Sequence, residues 1–271
     1  MELLEASERP DAWRAVTDRS DAAGDRSVGR WVAIDDEPMG AIEAWIRPDD
    51  RVFLRLETTD ENVARRLVLH ARESLARPVH VVCREGRIPC RRDLLDIGSE
   101  IVLTEDLFMI HFEEAREAVE RSWVPSDISI VSVSDIDTDR LFDLDIALRR
   151  LVPGTEGWMG DRSMFDGELE EAPPFDPSAY LVGRDERTGS LLGLIRFWRN
   201  ESGPRLGLVA VARSHRSTTL GPALVKHGLR AAARWGWSHF ETSTARSNRH
   251  LHHRLERLAA ERTGSLDIMR L

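Results

Sequence analysis

The segment "RSHRSTTLGP", residues 213–222, contains two arginines, four hydroxyl side chains and a glycine, and it has no carboxylate. A strand-like apolar run, residues 209–212, precedes it, and an amphipathic helix pattern begins at Gly221 and Pro222. The start of such a helix exposes unpaired N–H groups at the positive end of the helix dipole, which together bind anions. Gly221 lets a ligand approach the backbone, and Arg216 supplies charge suited to phosphate oxygens. We therefore predict a phosphate site; an ordinary helix start with solvated arginines is the alternative.

The chain contains two similar halves, each with three strand patterns, a long helix, a short strand, a short helix and a closing strand. The three strands lie in residues 28–59 of the first half and in residues 178–212 of the second, separated by turn residues. In the first half the third strand turns directly into the helix, with Asp60 as its N-cap, whereas the second half inserts the arginine-rich turn there. This pattern predicts an α/β (α+β) fold with two tandem domains, each a mixed, mostly antiparallel twisted sheet flanked by helices.

The predicted domain limits follow this repeat. Residues 1–112 form a first domain without the phosphate loop, and residues 127–271 form a second domain that contains it. Residues 113–126 between them are interpreted as a helical linker. Only the second domain is expected to bind phosphate, because the first-half turn carries two carboxylates, Asp60 and Glu61, where an anion would lie.

Composition limits the partners that the chain can bind. The 271 residues carry a net charge of −9, which disfavours nucleic acid, and no apolar run approaches the roughly 20 residues of a membrane span. The start of the sequence has acidic residues and no apolar signal segment, so we expect a cytoplasmic protein. We expect it to be either a monomer or a homodimer.

The cysteines and histidines do not indicate a metal site or a disulfide. Cys83 and Cys90 are expected to be reduced thiols. We expect no metal, because neither they nor His250, His252 and His253 have the spacing of metal ligands.

The order strand–strand–strand–loop–helix–strand–helix–strand in residues 127–271 resembles the GNAT acetyltransferase family. At the loop, that family has Arg or Gln, two residues, Gly, one residue, and then Gly or Ala. This chain matches with Arg216 and Gly221, and it departs from the pattern with Thr219 in place of the first glycine. The first half resembles the same fold with its phosphate loop deleted.

A second block of family residues follows the long helix. Thr242, Thr244 and Asn248 fit it, Leu251 stands for the usual Met, and residues 258–260 replace Leu-Gly-Phe. In proteins that this chain resembles, the asparagine helps to hold open the cleft beside the cofactor thiol. Without the resemblance, Asn248 is simply a helix N-cap.

The resemblance implies acetyl-CoA as the acetyl donor, with its pyrophosphate at the loop and its pantetheine arm along the preceding strand. It also implies a primary amine, on a small molecule or a peptide-like compound, as the acceptor. The residues that it assigns to acetyl-CoA binding are Val209, Val211, Arg216, Ser217, Thr218, Thr219, Leu220, Gly221, Pro222 and Asn248.

Acetyl transfer to an amine needs a base, an oxyanion donor and an acid for the leaving thiolate. Glu241 is the candidate base, because it lies on the expected strand, two residues before the position at which some relatives carry Glu. Many relatives have a tyrosine that donates the proton to the leaving thiolate, and this chain has Leu255 at that position. The one tyrosine of the chain is Tyr180. Asp161 and Glu156 are alternative groups for binding the amine.

Two functions fit these features. The first is an N-acetyltransferase in which the amine attacks acetyl-CoA directly in the C-terminal domain. The second is a non-catalytic protein of the same fold that binds CoA or a small ligand as a sensor or interaction module. Leu255 and Thr219 favour the second function, whereas Arg216, Gly221 and Asn248 favour the first. A dinucleotide-binding enzyme is disfavoured, because no Gly-x-Gly-x-x-Gly turn follows a strand.

Overall fold

The computed structural model describes residues 1–17, 26–85, 88, 91–170 and 175–271. The chain divides into two compact units: unit 1 contains Met1–Glu105 and Gly264–Leu271, and unit 2 contains Asp106–Thr263. Each unit is a mixed, mostly antiparallel sheet with helices packed against it, which confirms the predicted fold class. Cys83 is buried in unit 1, and Cys90 lies outside the described residues.

The described residues form strands β1 (Glu2–Glu5), β2 (Ser27–Asp35), β3 (Glu37–Ile46), β4 (Val52–Glu57), β5 (Val79–Arg84), β6 (Glu100–His111), β7 (Ile128–Ser132), β8 (Tyr180–Asp185), β9 (Leu191–Asn200), β10 (Gly203–Val211), β11 (His239–Ala245) and β12 (Glu261–Arg270). They also form helices α1 (Pro10–Thr17), α2 (Glu61–Leu75), α3 (Arg91–Asp96), α4 (Phe112–Val119), α5 (Thr138–Arg149), α6 (Arg162–Glu170), α7 (Leu220–Ala232) and α8 (Arg249–Arg257). None of these helices is long and apolar enough to cross a membrane.

Unit 1 is built on the strand order β1-β2-β3-β4-β5-β12, followed by residues 100–105 of β6. Strands β4 and β5 run parallel, and helix α2 connects them, because two parallel neighbours need a crossover connection. The helix buries Val63 and Leu67, four residues apart, against the sheet. Asp60 caps it as predicted, since its Oδ1 accepts hydrogen bonds from the N–H groups of Asn62 at 2.8 Å and Val63 at 3.0 Å.

Unit 2 has the strand order β6-β11-β10-β9-β8-β7, with residues 106–111 of β6 at one edge. Its sheet carries an apolar core on each face. Ile195 and Phe197 of β9 belong to the core beneath α4, α7 and α8, which we call the α7 face. Leu194 belongs to the core beneath α5 and α6, which we call the α5 face. Because successive strand residues point to opposite faces, these cores assign each residue of the central strands to one face.

The closing strands of the two sequence halves are exchanged between the units. Met109 ends the first half but lies in unit 2, whereas Met269 ends the second half but is buried in the core of unit 1. Residues Leu266 to Arg270 of β12 pair antiparallel with β5. The compact units therefore do not follow the predicted limits 1–112 and 127–271, because a strand pattern does not encode which sheet the strand completes.

The predicted linker, residues 113–126, is helical only in part and belongs to unit 2. Helix α4 ends at Val119, before the expected stop near Pro125. Phe112 and Ala115 are buried in the core of the α7 face, and Phe112 stacks near Phe240 with ring centroids 5.0 Å apart. This segment is therefore a packed part of the sheet–helix core of unit 2.

We expect Met269→Ala to destabilise unit 1 rather than unit 2, although the sequence repeat assigns this residue to the second half. Its side chain is fully buried, and truncating a buried Met costs about 2–5 kcal/mol. Hydrogen exchange should become faster in β2, β3 and β5 and stay unchanged in β8 and β9. Leu229→Ala, which truncates a fully buried residue of unit 2, is the matched control and should reverse the pattern. Faster exchange of β8 and β9 in Met269→Ala would contradict the exchange of strands.

Candidate functional site

Strands β10 and β11 of unit 2 are parallel neighbours that pair at one end. Across the described residues, their register consists of the single pair Arg205↔Glu241, near the start of both strands. One residue further along, Thr242 Oγ1 donates to the carbonyl oxygen of Leu206 at 3.1 Å, so a side chain replaces a backbone donor. Residues 207–211 of β10 have no described register with β11, and the edge that they present to it is open.

The open edge of β10 carries the backbone groups of Val209 and Val211. On the other edge, the N–H of Ala212 donates to the carbonyl oxygen of Leu192 at 2.7 Å. Because the backbone groups of an antiparallel strand point alternately to its two sides, the N–H and C=O groups of Val209 and Val211 point away from β9 and toward β11. Both predicted strand residues thus lie at the opening.

Helix α7 starts directly after this strand and has no side-chain cap. Thr219, the residue before its start, makes no capping hydrogen bond, and the N–H groups of Ser217, Thr219 and Gly221 have no acceptor within the described part of the chain. Thr218 has a different role, since its hydroxyl accepts from the N–H of Leu220 at 3.3 Å and donates to a carbonyl oxygen of the preceding turn at 2.8 Å. Three backbone donors at the positive end of the helix are therefore available to an anion.

The side chains around the helix start leave space and supply positive charge. Arg213 and Arg216 are exposed and form no ion pair with any described residue. A Cβ atom placed on Gly221 would meet only Val211 Cγ1, at 3.9 Å, so the packing of the protein does not require glycine here. Leu220 is fully buried and holds the helix start on the sheet, so only its backbone can face a ligand.

Unit 1 fills the equivalent helix start with its own carboxylate. Strands β4 and β5 pair at three consecutive positions, from Val52↔Val79 to Leu54↔Val81, and residues 55–57 of β4, next to α2, have no described register with β5. The start of α2 is occupied by the carboxylate of Asp60. Within the described residues, the start of α2 in unit 1 therefore has a side-chain cap that the start of α7 in unit 2 lacks.

Asn248 forms the start of α8, where its side chain acts as the N-cap. It accepts a hydrogen bond from the N–H of Leu251 at 3.3 Å and donates one to Thr244 Oγ1 at 3.2 Å. The structural alternative for this residue is therefore correct, and contact with a cofactor stays a prediction. Leu255, which stands where many relatives have the proton-donating tyrosine, is buried in the apolar core of the α7 face.

Glu241 is exposed on β11, opposite Arg205. Its neighbour Phe240 belongs to the core of the α7 face, so Glu241 and Ser243 point to the α5 face. Arg205 pairs in turn with Trp198 of β9. The predicted base therefore shares the α5 face with the polar residues described next.

The α5 face contains a buried charged cluster that the sequence analysis missed. Arg196 is 3% exposed, and its Nη1 donates to Glu168 Oε2 at 2.8 Å. Its guanidinium lies 4.2 Å from the ring centroid of Trp198 and 5.4 Å from that of Tyr180. The available signal was one charge within the apolar stretch "LLGLIRFW", which is unusual for a central strand.

Tyr180 lies directly opposite Arg196 in the sheet and is fully buried. Burial raises the pKa of its hydroxyl above the usual range for tyrosine, and the opposing charge of Arg196 does not offset this effect. The group is therefore a neutral O–H at physiological pH. That oxygen and Asp145 Oδ1 have no hydrogen-bond partner among the described residues.

A β-bulge in β10 lies beside this cluster. The register with β9 shifts between Leu206 and Leu208, which leaves Gly207 as the extra residue and places Leu208 opposite Arg196. A Cβ atom on Gly207 would lie 2.6 Å from Nε1 of Trp198, so the indole occupies the space that a side chain would need. Bulges of this kind often redirect the backbone next to functional sites.

The remaining sequence candidates contact nearby backbone. Asp161 Oδ1 accepts from the N–H of Met164 at the start of α6, at 2.7 Å, and Glu156 accepts from the N–H of Gly154 at 3.0 Å. Within the described ranges, no group of three or more His, Cys, Asp and Glu side chains is arranged to hold a metal ion.

Comparisons with known proteins bear on unit 2 and on the fold. Residues 151–259 match the model of the acetyltransferase (GNAT) family. A comparison with curated protein sequences found no match.

Several solved structures share the fold of this chain. A GCN5-related N-acetyltransferase from Sphaerobacter thermophilus is 18% identical, with 98% of this chain and 85% of that chain covered and a TM-score of 0.66. A tandem GNAT protein from the clavulanic acid biosynthesis pathway is 16% identical, with 92% and 84% covered and a TM-score of 0.67. A family member from Kribbella flavida is 14% identical, with 98% and 95% covered and a TM-score of 0.57. At these identities the likeness shows a common fold alone.

We expect two glycines of this region to respond differently to alanine. Gly207→Ala places a methyl group against the Trp198 indole and should lower the free energy of unfolding by about 1–3 kcal/mol. Gly221→Ala places a methyl group in open space at a helix start, so the free energy of unfolding should stay unchanged or rise by up to about 1 kcal/mol. Urea unfolding measures both. A clear loss of stability in Gly221→Ala would show that the fold itself requires this glycine.

Proposed function

We propose that unit 2 transfers the acetyl group of acetyl-CoA to a primary amine, a proposal supported by the match of residues 151–259 to the model of the acetyltransferase (GNAT) family. The acceptor is a small molecule or a peptide-like compound. The observation that carries this proposal is that two sets of unpaired backbone groups adjoin: the open edge of β10 runs directly into the uncapped start of α7. One extended ligand with a polar arm and a phosphate end fills both.

The proposed position of acetyl-CoA follows from those donors. Its pyrophosphate accepts hydrogen bonds from the N–H groups of Ser217, Thr219 and Gly221, and Arg216 adds a charge-assisted contact. The amide groups of its pantetheine arm pair with the backbone of Val209 and Val211, as an added strand would. Gly221 carries no side chain, so the phosphate can approach the backbone of the helix start closely.

The proposed reaction is direct attack. The nitrogen of the neutral amine bonds to the thioester carbonyl carbon, the C–S bond breaks, and CoA leaves as a thiolate. A backbone N–H on the open edge of β10 stabilises the oxyanion, and Glu241 takes a proton from the amine through a water molecule. Because Leu255 is apolar and buried, the thiolate takes its proton from water or from the substrate.

A non-catalytic protein that binds CoA is the second candidate, and buried Leu255 favours it. Calorimetry with acetyl-CoA, followed by detection of free thiol with a panel of amines, separates the two functions. The enzyme binds one acetyl-CoA per chain, with hydrogen-exchange protection at residues 213–224, and releases thiol when an acceptor is present. Binding without thiol release supports the second candidate, and protection at residues 58–66 would contradict the assignment to unit 2.

We expect Arg216→Ala to weaken acetyl-CoA binding by about 1.5–3 kcal/mol, the usual range for a charge-assisted contact. Calorimetry measures the loss, which should shrink at high salt because the arginine is exposed. Arg187→Ala, an exposed arginine in the turn between β8 and β9, is the matched control and should leave the affinity unchanged. Equal affinities for the wild type and Arg216→Ala would mean that the helix start alone holds the phosphates.

We expect Glu241→Gln to lower turnover by about 10- to 1000-fold and to leave the affinity for acetyl-CoA nearly unchanged, because the base acts on the amine. The acidic limb of the pH–rate profile should also move. Glu201→Gln, an exposed glutamate in the turn before β10, is the control and should keep full turnover. Full turnover in Glu241→Gln would leave positioning alone as the source of catalysis, with the amine arriving already neutral.

A further inference from the structure

The guanidinium of Arg196 is held rigidly beside the bulge of β10. Arg196 lies opposite Tyr180 on β8 and opposite Leu208 on β10, so it occupies the middle of three adjacent strands. The rings of Trp198 and Tyr180 contact the guanidinium, and Glu168 accepts from its Nη1. A planar cation restrained in this way loses little conformational entropy when it binds a further group.

One edge of this guanidinium has no partner. Arg196 Nε is buried and makes no hydrogen bond with the described residues, and none is made by Nη2 on the same edge. An unsatisfied N–H of a buried cation is costly, so native proteins normally pair it. The Nε/Nη2 edge presents two parallel donors, the geometry that matches the two oxygens of a carboxylate.

The surrounding charges favour a ligand without net charge. Arg196 and Glu168 neutralise each other, and Arg149 Nε donates to Asp145 Oδ2 at 2.6 Å as a second neutral pair. Asp145 Oδ1 can accept a hydrogen bond and the Tyr180 hydroxyl can donate one, and neither has a partner among the described residues. A ligand that satisfies both atoms therefore needs a donor as well as an acceptor. An amino acid that binds as a zwitterion, with a carboxylate and an ammonium group, satisfies these requirements, whereas a lone anion leaves an uncompensated buried charge. Glu241, the proposed base, then removes the proton from the ammonium group through a water molecule before the neutral amine attacks.

Resting on the proposed function, we propose that the acceptor is a small amino carboxylic acid whose carboxylate binds the Nε/Nη2 edge of Arg196. Leu208, opposite Arg196, belongs to the bulged segment whose far edge is open toward β11. A carboxylate at Arg196 therefore leaves the amine of a small amino acid within a few bonds of the bulge, on the face that also carries Glu241. Tyr180 and Asp145 are the proposed specificity-determining partners on the side of α5.

The experiment uses the full chain saturated with CoA and measures equilibrium binding by calorimetry. The probes are glycine, L-alanine, L-serine, L-glutamate, L-lysine and L-tryptophan, each compared with its carboxamide. At least one acid should bind at least about 10-fold more tightly than its carboxamide, because the bidentate contact needs a carboxylate. Arg196→Gln should abolish this preference while CoA affinity stays at the wild-type value.

Glu168→Gln provides a second variant that keeps the size of the side chain and its acceptor oxygen. It removes a competing negative charge, so carboxylate binding should tighten by about 3- to 10-fold, opposite in sign to the effect of Arg196→Gln. Equal binding of acids and carboxamides, no binding of any acid, or weaker carboxylate binding in Glu168→Gln would each overturn the proposal. These outcomes with normal CoA binding concern the acceptor alone, whereas failure to bind CoA overturns the proposed function itself.

Discussion

A backbone N–H or C=O group pairs with another protein group, with water or with a ligand, and unit 2 leaves several such groups without a partner among its described residues. They lie on the edge of β10 at Val209 and Val211 and at the start of α7, where Thr219 supplies no cap. The edge of β10 is unpaired because β11 pairs with it near Glu241 and then does not continue the ladder, and the start of α7 is unpaired because Thr219 makes no capping hydrogen bond. The sheet and α7 hold these groups in place before any ligand arrives, so binding requires little ordering of the chain.

In unit 1, a side chain of the protein itself pairs with the N–H groups at the corresponding helix start. Asp60 places a carboxylate at the start of α2, where an anion would bind. The turn before α2 ends in that cap, whereas the longer turn before α7 carries the exposed Arg213 and Arg216 and supplies no capping side chain. The two units therefore differ less in fold than in which backbone groups remain unsatisfied.

The α5 face adds a different constraint, because burying a charge is costly unless it is paired. Replacing a buried ion pair by apolar residues often leaves stability unchanged or improved, so Arg196 and Glu168 are poorly explained by stability alone. Their position beside the bulge at Gly207 instead joins the charged cluster to the strand that carries the open edge. In the proposed function, the amine acceptor and acetyl-CoA would therefore both lie along β10.

The sequence by itself determined the elements and the helix start, because these depend on local pattern: the strand alternation, the Asp60 cap and the arginine–glycine turn are all contained in short segments. Tertiary structure decided which sheet the closing strands complete, as Met269 shows, since a strand pattern carries no information about its partner. It also decided the buried cluster around Arg196. Residues from α6, β8 and β9 meet there only after the sheet forms, and their pairing depends on register and burial rather than on spacing along the chain.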